Sequence, residues 1–246
     1  MNILLGIMIP FLGTMIGSFF VFFMRGNIKK SKEKMLLSFA ACVMIAASVW
    51  SLLLPAIDMS EGYGRFAFFP AAFGFFLGVL FLFFINYATE KLEKSNKKTS
   101  KMIFAITLHN IPEGMAVGVC FAYFLATKDL VSLTSAFVFS LGIAIQNIPE
   151  GAIISMPLRS SGCSKLKAFI YGTLSGIVEP IFAFLTILLT GIVVPILPYL
   201  LSFASGAMVY VVCDELIPEG RDDYKYSPIF LALGFLVMMI LDVCFG

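Results

Sequence analysis

The chain alternates long runs without charge and short clusters of lysine and arginine, and that alternation predicts its elements. Residues 3–24, 35–57 and 66–89 contain no Asp, Glu, Lys or Arg. Each run can cross about 30 Å of hydrocarbon as a helix, the form in which a chain in lipid satisfies its own backbone groups. Residues 102–127 and 130–158 are apolar apart from His109, Glu113 and Glu150. From Ala168 to Cys213 the only charge is Glu179, in a stretch too long for one crossing. Thr190-Gly191, followed by Pro195 and Pro198, predicts a turn there, with spans at 168–190 and 195–215. Residues 228–245 make the eighth span, with Asp242 near its end. The expected fold is an all-α integral membrane bundle of eight transmembrane helices, one domain over 1–246. The first span has neither a basic leader nor a small-residue cleavage site, so it is expected to be retained and not cleaved as a signal peptide.

Composition agrees with the pattern. A mean hydropathy of +0.98, 60% hydrophobic and 13% charged residues exclude a soluble domain with a polar shell. The five cysteines form no C-x-x-C pair and, like the thirteen methionines, read as packing residues. No G-x-x-x-x-G-K-[ST] word is present, so neither a nucleotide nor a nucleic acid is an expected partner. The partners expected are divalent metal ions and the lipid bilayer, with a homodimer left open.

Basic residues set the orientation. Arg25, Lys29, Lys30, Lys32 and Lys34 follow the first span; Lys91, Lys94, Lys97, Lys98 and Lys101 follow the third. Arg159, Lys165 and Lys167 follow the fifth span, and Arg221 and Lys225 the seventh, leaving Arg65 and Lys128 for the other side. The positive-inside rule then places these loops in the cytoplasm of a cell-membrane protein and both termini outside. Residues 91–101, with Ser95, Asn96 and Thr99, are expected to form a mobile basic cytoplasmic linker.

Two near-identical words stand inside apolar runs: His109-Asn110-Ile111-Pro112-Glu113-Gly114 and Gln146-Asn147-Ile148-Pro149-Glu150-Gly151. A charge at the centre of a bilayer costs at least about 2.5–3.5 kcal/mol, and an interior proline adds to the cost. Residues three and four apart share a helix face, so each word clusters three ligand-type side chains. The two helices are antiparallel neighbours, joined near Lys128-Asp129, and the clusters fall at one depth. Pro112, Pro149 and Pro180 are expected kinks. Glu179, beside Pro180, is a third buried carboxylate assigned to the same site. The candidate metal set is His109, Asn110, Glu113, Gln146, Asn147, Glu150 and Glu179. One imidazole, three carboxylates and three amides suit Zn²⁺, Fe²⁺ or Mn²⁺ better than Cu⁺. A cation is the simplest way to hold three carboxylates together. Asp58 is a candidate for the entrance of the path. Asp214 and Glu215, with Glu219, Asp222 and Asp223 beyond, are candidates for the exit.

The words H-N-x-P-E-G and Q-N-x-P-E-G resemble those of the ZIP (Zrt/Irt-like protein) family of divalent metal transporters, most of all its short prokaryotic members. Ser175-Gly176 before Glu179-Pro180, and Asp214-Glu215-Leu216-Ile217-Pro218-Glu219, are supporting likenesses. The resemblance implies a transporter and not an enzyme. It carries zinc, with iron, manganese or cadmium as alternatives, into the cytoplasm by alternating access. The metal is cargo, and no cofactor is implied. It also implies a binuclear site: His109, Glu113, Gln146 and Glu150 for one ion, and Asn110, Glu113, Asn147, Glu150 and Glu179 for the other. Some relatives carry an acid in place of Asn147 and many a histidine in place of Gln146, so the second position is expected to be weak here. In the family's elevator scheme helices 1, 4, 5 and 6 slide against 2, 3, 7 and 8, and Gly13, Gly17, Gly74 and Gly78 would permit close, sliding contacts. A metal-gated channel or sensor would use the same ligands. An intramembrane metalloenzyme would need H-E-x-x-H or several histidines, and this chain has one.

Overall fold

The computed structural model describes residues 3–24, 29–92, 98–128 and 130–245, with 89–92, 98–106, 108, 109, 112, 127, 130 and 245 described as backbone only. Among the described residues nine principal helices follow in order: α1 (Ile3–Phe19), α2 (Lys30–Ala47), α3 (Phe68–Leu92), α4 (Lys98–Thr127), α5 (Leu130–Ser160), α6 (Lys165–Ser175), α7 (Val178–Leu188), α8 (Thr190–Val211) and α9 (Ser227–Phe245). Seven spans are long and apolar enough to cross a membrane, and the described apolar part of α4, Glu113–Ala126, is the shorter eighth. The chain is thus a multi-pass membrane bundle, and the described residues contain no strand.

The prolines decide where these helices depart from the expected ends. The sixth span, Lys165–Leu188, is two helices, because Pro180 crowds the carbonyl four residues back, at Gly176. The chain breaks at Gly176-Ile177 and restarts with Pro180 in the first turn of α7, where no N–H is needed. Pro180 therefore marks a helix start and not a kink within a helix. α5 runs unbroken through Pro149 and Pro157, and the α4 backbone through position 112. The turn expected between Thr190 and Pro195 is tighter: it is the single residue Leu189, and α8 begins at Thr190 with Pro195 and Pro198 inside it.

Two spans contain a π-helical turn, the second near its expected end at 57 and the seventh running past its expected end at 215. α2 continues through Ser48–Leu53 into the short helix Leu54–Asp58, and α8 through Val212–Leu216 into Ile217–Arg221. Each wide turn lies just ahead of a proline, Pro55 or Pro218. The i→i+5 register accommodates the ring and the missing N–H that an α-helix would not. The basic linker is shorter than 91–101, since α3 reaches Leu92 and α4 starts at Lys98; its centre, 93–97, lies outside the described residues. Lys128, with φ of 57°, makes the turn after α4.

The helices pack as two groups. α1 lies along α5, and α4 along α7, with α6 against both α1 and α5; α3 lies along α8, and α2 along α9. Glycines set these pairings. A methyl group at Gly13 or Gly17 would collide with the carbonyl oxygen of Ala144 or Ile148, and one at Gly78 with that of Phe203. Gly74 likewise packs on Tyr199 and Ser202 of α8. All four glycines thus lie inside one group or the other. Backbones in such contact cannot slide past one another, so these residues lock pairs together and do not form a sliding surface.

Between the groups the contact is different in kind. Ala116 of α4 and Ile153 and Ile154 of α5 share one buried apolar cluster with Leu37, Ala41 and Met44 of α2 and Leu197, Leu201 and Met208 of α8. Alanine together with branched and flexible side chains fills this seam, where α4 packs on α8 and α2 on α5.

Candidate metal centre

The two hexapeptides stand on α4 and α5, and their last residues explain how the centre assembles. Gly114 lets α4 press on the Glu179 backbone of α7, and Gly151 lets α5 press on Thr14 and Ser18 of α1. Four helices therefore meet at one point. Asn110, Glu113, Gln146, Asn147, Glu150 and Glu179 are each at most 1% exposed there.

Hydrogen bonds join the polar side chains. Gln146 Nε2 donates to Glu113 Oε1 at 2.8 Å, tying α5 to α4. Asn110 Nδ2 donates to Glu179 Oε1 at 2.9 Å and Asn147 Nδ2 to Glu179 Oε2 at 2.9 Å. Thr14 Oγ1 adds a third donor to Glu179 Oε1 at 3.3 Å. Hydrogen bonds to an ionised acceptor are worth about 1.5–3 kcal/mol each, against about 1 kcal/mol for neutral pairs. Glu179 is thus held from α1, α4 and α5 at once.

Each asparagine amide also has a second acceptor, Ser175 O for Asn110 and Pro10 O for Asn147, both at 3.4 Å. Ser175 ends α6, where the break leaves carbonyls without helical partners, so Asn110 closes that helix end as well as gripping Glu179.

Among the described residues no three His, Cys, Asp or Glu side chains form a ready-made metal-ligand cluster. Asn110 Oδ1, Asn147 Oδ1 and Glu113 Oε2 nevertheless lie buried here with no hydrogen-bond donor among the described residues. Leaving such an acceptor unpaired costs about 1–3 kcal/mol, and carboxylate and amide oxygens are the ligands of hard and borderline divalent cations. The donor chemistry fits a divalent ion.

The backbone of His109 lies on α4, one turn before Glu113, and its side chain is outside the described set, as is that of Pro112. The proposed path residues lie away from the cluster. Asp58 is exposed at the end of its short helix, whereas Asp214 is exposed in the second π turn and accepts from Asn86 Nδ2 at 2.9 Å. Glu215 is half-buried beside it, and Glu219, Asp222 and Asp223 are exposed. Lys34, near the start of α2, pairs with Asp222 at 3.1 Å. The start of α2 and the end of the α8 span therefore share one end of the bundle, and Asp58 lies at the opposite end.

Two contributors carry no signal in the sequence. Thr14 is one hydroxyl in an apolar helix, marked only by its neighbours Gly13 and Gly17. Ser51, in the π turn after α2, donates to Asp242 Oδ1 of α9 at 2.8 Å and, more weakly, to Gln146 Oε1 at 3.3 Å. Ser51 thus reaches from one helix group to a candidate ligand on the other, beside a small cavity lined by Trp50, Phe139, Ile143 and Asp242.

A protein-family model described as ZIP Zinc transporter matches residues 88–242. The chain is 35% identical to Zinc transporter ZIP11 of Xenopus tropicalis, over 99% of this chain and 97% of that protein. It is 34% identical to Zinc transporter ZIPB of Bordetella bronchiseptica, over 96% and 79%, and 37% identical to Zinc transporter GufA of Myxococcus xanthus, over 80% and 81%.

Proposed function

The chain belongs to the ZIP zinc transporter family, and on that premise we propose that it carries a divalent metal ion, zinc foremost, into the cytoplasm by alternating access. Iron, manganese and cadmium are the competing cargoes. Family members are transporters and not enzymes, so the buried polar centre is a station for cargo. The ion rests on His109, Glu113, Gln146 and Glu150, with Asn110, Asn147 and Glu179 as the remaining members of the set.

The observation that carries this reading is the burial of three carboxylates and three amides at the junction of α1, α4, α5 and α7, inside spans that otherwise lack charge. Charge in hydrocarbon is retained where it serves passage. Alternating access is supported by the two kinds of packing. The centre belongs to the group of α1, α4, α5, α6 and α7, which moves as a body against α2, α3, α8 and α9 across the side-chain seam. Inward direction is supported by the lysines and arginines, which place the odd-to-even loops in the cytoplasm and both termini outside. Asp58 then gathers cations at the outer end, and Asp214 and Glu215 receive them at the inner end.

The test is uptake into liposomes loaded with a metal-sensitive dye. Saturating Zn²⁺ uptake that disappears in Glu150→Ala is the expected result. Ohmic, non-saturating current would make the protein a channel, and neither flux nor current would refute transport altogether.

A further inference from the structure

We infer that this chain carries one metal ion at a time, because Glu179 acts here as an outer carboxylate that holds the amides of Asn110 and Asn147 instead of ligating a second ion. The inference deepens the transport reading and rests on it.

The orientation of the two amides is fixed twice over. Asn110 Nδ2 has Glu179 Oε1 at 2.9 Å and Ser175 O at 3.4 Å; Asn147 Nδ2 has Glu179 Oε2 at 2.9 Å and Pro10 O at 3.4 Å. Turning either amide over would set its oxygen against a carboxylate and a carbonyl together, four repulsive contacts in all. Both carboxylate oxygens of Glu179 are therefore occupied by N–H donors, and Thr14 adds a hydroxyl to Oε1. Three of the roughly four acceptor sites of this carboxylate are thereby taken, so an ion ligated by Glu179 would compete with donors held by three helices.

Position 147 is the deciding one. An aspartate there would have no N–H to give Glu179 and would bring a fourth carboxylate. Asparagine reverses both terms, adding a donor and removing a charge. With a neutral imidazole, the three glutamates leave a formal −1 after one divalent ion and +1 after two. The residual negative charge of the one-ion state has a place to rest, on a carboxylate that accepts three hydrogen bonds, whereas the excess positive charge of the two-ion state has none.

The same arrangement gives Glu179 a positioning role. Asn110 Oδ1 and Asn147 Oδ1 are buried without donors among the described residues. An amide whose N–H groups are held by a carboxylate presents a fixed, polarised carbonyl oxygen, as outer-shell carboxylates do for metal-binding side chains.

Zn²⁺ titration of the purified full-length chain by calorimetry, with Zn K-edge absorption of the complex, tests this. One Zn²⁺ per wild-type chain is expected. Glu179→Gln should still bind one Zn²⁺, about tenfold more weakly, with the same set of nearest ligands. Asn147→Asp should take up a second ion. Two Zn²⁺ per wild-type chain, or loss of an oxygen ligand from the spectrum in Glu179→Gln, would overturn the inference, as would an Asn147→Asp chain that folds and stays at one ion. If Asn147→Asp does not fold, the wild-type count and the Glu179→Gln spectrum decide alone. Two ions would leave the transport reading standing, whereas no Zn²⁺ binding together with no uptake would overturn transport and this inference with it.

Discussion

Inside each helix group the backbones touch, as where Gly17 meets Ile148 O and Gly78 meets Phe203 O; between the groups, where α4 packs on α8 and α2 on α5, Ala116, Ile153 and Ile154 share one buried cluster with Leu37, Met44, Leu201 and Met208. The two kinds of seam are built from equally apolar sequence, yet they differ in what they permit. A glycine against a carbonyl has one registry, because every other residue collides. A seam in which leucine, isoleucine and methionine pack among alanines has several rotamer solutions of similar volume, so it repacks at modest cost. A membrane protein has no hydrophobic drive holding helix to helix, which makes such close packing the main source of rigidity. The six described polar side chains of the candidate centre all belong to one group, and their hydrogen bonds join α1, α4, α5 and α7. Ser51 is a hydrogen bond that reaches across.

Substitutions that exchange the character of the two seams test this difference most strongly. Gly17→Val or Gly78→Val drives a branched side chain into a carbonyl and should cost about 3 kcal/mol, the upper end for overpacking. Each is expected to lower the melting temperature in detergent and to reduce monodisperse protein. Wild-type melting in either variant would mean that the groups are not locked as described. Across the other seam, Ile154→Val should cost only about 0.5–1.5 kcal/mol and leave the Zn²⁺ uptake rate within a factor of two or so, since the cluster refills the space. Ser51→Ala removes a donor from half-buried Asp242 and from Gln146, and should lower stability by about 1 kcal/mol with one Zn²⁺ still bound. The smallest effect belongs to the membrane surface. Lys34→Ala breaks the pair with Asp222, a residue whose side chain is 73% exposed, and should cost less than about 1 kcal/mol, shrinking further in high salt.

Much of the architecture is legible in the bare sequence because lipid imposes a strict rule. Charge-free runs become spans, and the two hexapeptides stand out as polar words where polar residues are costly. What was not legible depends on neighbours. Pro180 breaks the sixth span, while Pro149 sits inside an unbroken α5; the residue type is the same, and the packing around it differs. The π turns at Ser48–Leu53 and Val212–Leu216 relieve Pro55 and Pro218 without ending the span, so the second span ends at Asp58, close to the expected 57, while the seventh runs to Arg221, beyond the expected 215. The glycine spacing marks close contact, but only the fold tells which helix is touched, and here it is a partner within the group. Asn147 shows the same limit at the site. Its identity is a plain letter in the sequence, whereas its donation to Glu179 rests on how α1, α5 and α7 meet.

The central claim is that one rigid group of helices bears the metal centre and moves against the other. Spin-label distances measured with and without Zn²⁺ test it most directly, on a background lacking native cysteines. Leu4, Val131, Ile192 and Val243 are exposed at one end of the bundle and suit the labels. The within-group pairs Leu4–Val131 and Ile192–Val243 should each keep a single distance, while the cross-group pairs Val131–Val243 and Leu4–Ile192 should shift or broaden when Zn²⁺ is added. Distances that stay fixed across the seam, or that change as much within a group as between groups, would contradict the account.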